Sequence, residues 1–159
     1  VDQQLAADGG EGRPAGNPLQ PPALSMPPRI LNIAAACLLD NAGRLLLVRK
    51  RGTRMFMLPG GKREAAESAL QALARELDEE LNLQLPDAAF TPLGRFNEVA
   101  ANEADTRVEA DIFRAALSHP VAPAAELEEL RWLHPDDPRG DDLAPLLRLH
   151  VLPMIWPRG

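Results

Sequence analysis

"PGGKREAAESALQALARELDEEL", Pro59 to Leu81, sets a glycine pair ahead of a long helical pattern that ends in a knot of carboxylates. Leu70, Leu73, Leu77 and Leu81 recur at spacings of three or four, with Ala, Gln, Arg and Glu between them. That spacing predicts a helix over Ala65 to Leu81. Glu64 and Glu67 are expected near its start, where the helix dipole favours negative charge. Asn82 tolerates a left-handed backbone and is expected to close the helix, with Leu83 as an apolar anchor and Pro86 preventing continuation.

On a helical wheel, Glu80 falls about 40° to one side of Glu76 and Glu79 about 60° to the other, while the leucines centre roughly 100° away. The helix can therefore bury one side and leave an oxygen-rich edge. Carboxylates this close repel one another and cost helix stability. A hard divalent cation reverses that balance, because Mg²⁺ takes oxygen ligands and bridges carboxylates to phosphates. "ELDEE" alone also fits a solvated acidic face, since Glu is a good helix former. The preceding Gly60 and Gly61, which let backbone approach a ligand closely, favour a cation seat.

Outward from this stretch, residues 1 to 29 are rich in Gly, Pro and Ala and lack either periodicity, so they read as an N-terminal extension or tail. The remaining 30 to 159 read as one domain, in keeping with a chain of 159 residues. Ile30 to Leu39 and "RLLLVRK" to Lys50 are two adjacent strands around the turn "DNAG". "MFML" at Met55 to Leu58 is a short third apolar stretch, in which Phe56 fits a core or a ligand-stacking role. Phe90 to Ala100 and Thr106 to Leu117 read as strands around the acidic loop "ANEAD", and "LRWLHP" as another. The segment "DDLAPLLRLHVLPMIW" is expected to close the fold with a helix that Pro145 and Pro153 restrict. Strands flanking two helices define an α/β layer arrangement.

Lys and Arg number 17 against 23 Asp and Glu, a net charge of −6, which leaves no broad basic field for a long nucleic acid. The one cysteine, Cys37, excludes an internal disulfide and reads as a buried strand residue. No apolar run reaches the roughly 18 residues of a membrane span, so a cytoplasmic protein without membrane contact is expected. His119, His134 and His150 form no spaced ligand set, and zinc is not implied. Trp132 and Trp156 read first as core or interface residues.

The stretch from Gly61 to Leu83 resembles the signature box of the Nudix (MutT-like) hydrolases. Gly61, Glu67 and the run Arg75, Glu76, Leu77, Asp78, Glu79, Glu80, Leu81, Asn82, Leu83 stand at the family's spacing. Asn82 replaces the second glycine of the box, and Ala66 replaces a glycine often found before the box glutamate. The resemblance implies an α/β/α sandwich around a mixed β-sheet. It implies that Glu76, Glu79 and Glu80 bind Mg²⁺ or Mn²⁺, with the Gly60 carbonyl as a further oxygen, and that Arg75 orients a carboxylate with Glu67 as its partner. Lys62 and Arg63 read as exposed charge or as phosphate contacts.

The implied reaction is hydrolysis of a nucleoside diphosphate linked to another group, by water attacking phosphorus. Glu76 or Glu79 is the expected base. Among later acids, Glu126 is favoured as an added ligand or base over Glu128, Glu129, Glu98 and Glu103. A small nucleotide is the expected substrate, and a homodimer through "VLPMIW" is expected by analogy. A noncatalytic nucleotide or sugar-nucleotide sensor and an acidic protein-interaction domain are the alternatives.

Overall fold

The structure is a computed structural model that describes residues 27–157; the expected N-terminal extension lies outside the described residues over 1–26. Strand β1 (Arg29–Leu39) is the spine of the fold. It pairs in parallel with β5 (Thr106–Ala116) along its whole length, from Arg29 opposite Thr106 to Leu39 opposite Ala116. Its other side is shared. Near the end, Leu39 meets Leu45 of the antiparallel β2 (Leu45–Lys50), and in the middle Ile33 to Ala35 pair with the short antiparallel β3 (Gly60–Lys62). With β4 (Thr91–Val99) antiparallel to β5 and β6 (Leu127–Leu133) antiparallel to β2, the mixed sheet runs β4-β5-β1-β2-β6.

The unbroken apolar run in β1 follows from burial on both faces. Ala34, Ala36 and Leu38 face a layer built on helix α1 (Ala69–Leu81), packed with Leu46, Leu73, Leu77 and Leu81. Ala35, Cys37 and Leu39 face the opposite layer, where Leu143, Leu147, Val151 and Leu152 of the C-terminal segment close over them. The expected α/β/α sandwich is therefore formed. Burial pushes the Cys37 thiol up to about 12, against a smaller opposing pull from Arg114.

Helix α1 starts at Ala69, not at Ala65, because Ser68 caps it. Ser68 Oγ accepts from the Gln71 amide at 3.1 Å, and Gln71 Oε1 accepts from the Ser68 amide at 2.9 Å. This reciprocal box satisfies two donors that a helix start leaves open. Glu64 and Glu67 consequently precede the helix instead of occupying its first turn, and Glu67 accepts from the Glu64 amide at 2.8 Å. At the other end Asn82 is left-handed, φ 49°, and the amides of Asn82 and Leu83 bond to Asp78 O and Leu77 O, as the sequence leads one to expect.

The structure defines two further segments. "MFML" forms no strand of its own: Met57 bridges Val48, and Phe56 bridges Leu143. Phe56 is buried in the core, with the Arg131 guanidinium 3.8 Å from its ring centre. The closing helix is short and broken, a π-helical turn at Leu147–Val151 running into α2 (Leu152–Ile155). Val151 and Leu152, which "VLPMIW" offered as interface, lie in the molecule's own core.

Candidate metal and catalytic site

The site is assembled by β3. Gly60 has φ 145°, and a Cβ there would lie 2.1 Å from Ala34 O, so only glycine lets this strand lie flat against β1. A Cβ at Gly61 would lie 2.5 Å from the carboxyl carbon of Glu76. The glycine pair thus brings bare backbone against the acidic edge of α1. Gly60 N donates to Glu80 Oε1 at 3.2 Å, tying strand to helix.

Arg75 is the hub of the charged network. Its Nε and one terminal nitrogen bond both Glu67 oxygens, at 2.8 and 2.9 Å, and the same terminal nitrogen donates to Lys62 O at 3.0 Å. The other terminal nitrogen holds Glu76 Oε2 at 2.8 Å, with Glu79 Oε2 at 3.7 Å. The fork therefore holds Glu76 while Glu67 holds the fork. The hydrogen bonds from Arg75, with the Glu64 amide second, hold Glu67 down at about 2, and Glu67 in turn pushes Arg75 further up. Glu76 is raised, first by burial, against the pull of Arg75.

Glu80 is 6% exposed, and no Lys or Arg among the described residues lies within 4.0 Å of its carboxylate. Burial raises it to about 8 despite the Gly60 amide. Buried without a cationic contact, this carboxylate lies beside Glu76 and Glu79, and carboxylate oxygens are the ligand type a hard divalent ion takes. The three line one cleft of about 520 Å³ together with Lys50, Glu103 and Glu126. Within it the oxygens are spread: among the described residues, no group of three His, Cys, Asp or Glu is gathered closely enough to hold a metal ion. Arg75 draws Glu76 one way, Gly60 anchors Glu80, and Glu79 is 54% exposed, an arrangement that relieves mutual repulsion.

Of the later acids, Glu126 reaches the cleft from the loop before β6, where Ala125 takes φ 53°. Glu103 also lines it. Glu128 and Glu129 instead pair with Arg51 and Arg49, at 3.8 and 3.0 Å, and Glu98 with His150 at 2.9 Å. Among the described residues, His119 and His134 make only local contacts. Lys50 was not singled out by the sequence. It enters because the β2–β6 register sets it opposite Leu127, next to Glu126, a neighbourhood no local motif encodes. A second, largely apolar cavity of about 350 Å³ adjoins the cleft and shares Lys50, Gly61, Lys62 and Glu103 with it, while Leu31, Met57 and Val108 form part of its wall.

A sandwich of this topology, with a glycine-strand and a helix of carboxylates at its edge, is also found by comparison. The NUDIX domain family matches residues 29–151. The chain belongs to the Nudix hydrolase family, whose general activity is pyrophosphohydrolysis of a phosphoanhydride.

Among solved structures, a MutT Nudix hydrolase from Burkholderia pseudomallei is 24% identical, with a TM-score of 0.66 over 79% of this chain and 98% of that one. The E. coli ORF135 protein is 22% identical, with a TM-score of 0.58 over 80% of this chain and 86% of that one. A MutT/Nudix family protein from Enterococcus faecalis is 20% identical, with a TM-score of 0.56 over 71% of this chain. This chain spans 46% of the length of that last protein. At these identities the likeness is one of fold. No curated protein matches the sequence.

Proposed function

We propose that this chain hydrolyses a phosphoanhydride bond in a small nucleoside diphosphate linked to another group, with water attacking phosphorus. The observation that carries this reading is the continuity of the acidic cleft with the apolar cavity across Gly61, Lys62, Lys50 and Glu103. One molecule can then lay charged phosphates along the carboxylate edge and an apolar ring beside Leu31, Met57 and Val108.

Glu76, Glu79 and Glu80 would hold Mg²⁺ or Mn²⁺, with the Gly60 carbonyl and Glu126 as further oxygens. When bound, such an ion neutralises phosphoryl charge and makes water a better nucleophile at neutral pH. Arg75 keeps Glu76 turned toward the cleft, Glu67 keeps Arg75 in place, and Lys50 supplies a positive charge facing the phosphates. Glu79, the most exposed of the three carboxylates, would take the proton from attacking water.

The test is incubation with nucleoside triphosphates, ADP-ribose and dinucleoside polyphosphates in Mg²⁺, Mn²⁺ or EDTA, with products separated by chromatography. Cleavage of one compound well above the rest, abolished by EDTA, is the expected result. Saturable nucleotide binding without cleavage would replace this reading with that of a sensor. We further propose a homodimer, which a strictly monomeric solution mass at micromolar concentration would remove.

A further inference from the structure

We propose that a further pocket, on the C-terminal layer and separate from the acidic cleft, binds a phosphate monoester carrying a flat ring. This pocket, of about 440 Å³, is lined by Arg139, Arg148, Leu152, Pro153, Trp156 and Pro157. It shares no residue with the acidic cleft or the apolar cavity beside it. Its chemistry is also opposite in sign to the acidic cleft, with two guanidinium groups and, among the described residues, no carboxylate in its wall.

In a chain of net charge −6, most described arginines sit against an acid, as Arg44, Arg49, Arg75 and Arg131 do. Among the described residues, neither Arg139 nor Arg148 has an acidic oxygen within 4.0 Å. The nearby Asp137 is turned away, its carboxylate accepting from the His134 amide at 2.8 Å.

Arg139 is nonetheless fixed. One terminal nitrogen donates to Pro135 O at 3.0 Å and to Asp137 O at 2.9 Å, leaving its other donors for a ligand. Its guanidinium carbon lies 5.5 Å from the Trp156 ring centre. A cation anchored by two carbonyls does not have to be ordered again when an anion arrives, which lowers the entropic cost of binding. Arg148 approaches from the π-helical turn and is exposed, free to close on the same anion.

Two arginines suit a phosphate dianion, because each presents several donors in a planar fork. The half-buried Trp156 indole, flanked by Pro153 and Pro157, supplies the flat apolar surface on which a ring stacks. A phosphate monoester contains no phosphoanhydride, so binding here is independent of the hydrolysis proposed above.

The experiment uses Trp132→Phe protein, which leaves Trp156 as the single indole, titrated with phenyl phosphate in EDTA and followed by both fluorescence and calorimetry. Saturable binding is expected, with inorganic phosphate weaker. Arg148→Glu, at an exposed position that leaves the fold intact, is expected to raise Kd about tenfold or more. Glu79→Gln is expected to leave this Kd unchanged. The proposal is overturned by the absence of saturable heat and fluorescence change, by equal binding in Arg148→Glu, or by loss of binding in Glu79→Gln. Inorganic phosphate binding as tightly as phenyl phosphate would overturn the role given to the indole.

Discussion

A methyl group placed on Gly60 would lie 2.1 Å from Ala34 O, whereas the nearest atoms to one on Gly61 are the end of the Glu76 side chain, at 2.5 Å. Backbone cannot yield to the first, and φ 145° adds strain of its own, so Gly60→Ala should cost more than about 3 kcal/mol in urea unfolding. Gly61→Ala should cost only about 1 kcal/mol, because the carboxylate can swing aside, yet it should lower hydrolysis by displacing Glu76. Equal loss of stability in the two variants would contradict the geometry. Glu79 gives the complementary case. Its side chain is 54% exposed, so Glu79→Gln should move stability by no more than about 0.5 kcal/mol. Turnover should fall by about a hundredfold or more at saturating Mg²⁺, and a near wild-type rate would remove Glu79 from the proposed machinery.

Helix α1 shows what short-range pattern encodes and what it leaves out. Leucine spacing located the helix, and the tolerance of Asn82 for φ 49° located its end. The start was misplaced because Ala65 continues the composition of a helix, while the cue that decides it, Ser68 followed by Gln71, is a pair of side-chain hydrogen bonds. Ser68→Ala should therefore destabilise by about 1 kcal/mol. Strand β3 was missed for the opposite reason: Gly60, Gly61 and Lys62 carry no apolar alternation, and what makes them a strand is the close approach that missing Cβ atoms permit. Ala66 was visible as a glycine replaced, and the structure gives that its physical content. It sits at φ 70°, a conformation that costs an L-residue about 1 kcal/mol or more. Ala66→Gly is expected to recover about 0.5–1 kcal/mol, measured as a rise in the urea midpoint.

Across the whole molecule, the parallel register of β1 with β5 joins segments more than seventy residues apart, and the pairing of β2 with β6, of similar span, sets Lys50 beside Glu126 in the cleft. Periodicity names the pieces but not their neighbours, which is why the carboxylates of α1 were legible in the sequence and Lys50 was not. The edge of the sheet and the C-terminal layer are also coupled through charge. Glu98 of β4 is held below the ordinary carboxylate range by the Val99 amide and then by His150 of the C-terminal layer, 2.9 Å away. A carboxyl lowered by folding contributes stability above its unfolded value and loses it as pH falls through the folded one. Acidification below about pH 4 should thus weaken the wild type more steeply than Glu98→Gln, in urea midpoints measured along a pH series. The layering also gives the protein an internal clock. Cys37 lies on the central strand beneath the C-terminal layer, fully buried, with its thiol pushed up to about 12. A thiol-specific reagent in excess can reach it only when the strand is laid bare, so the modification rate at neutral pH should track opening of the whole sandwich and ignore fraying at its edges.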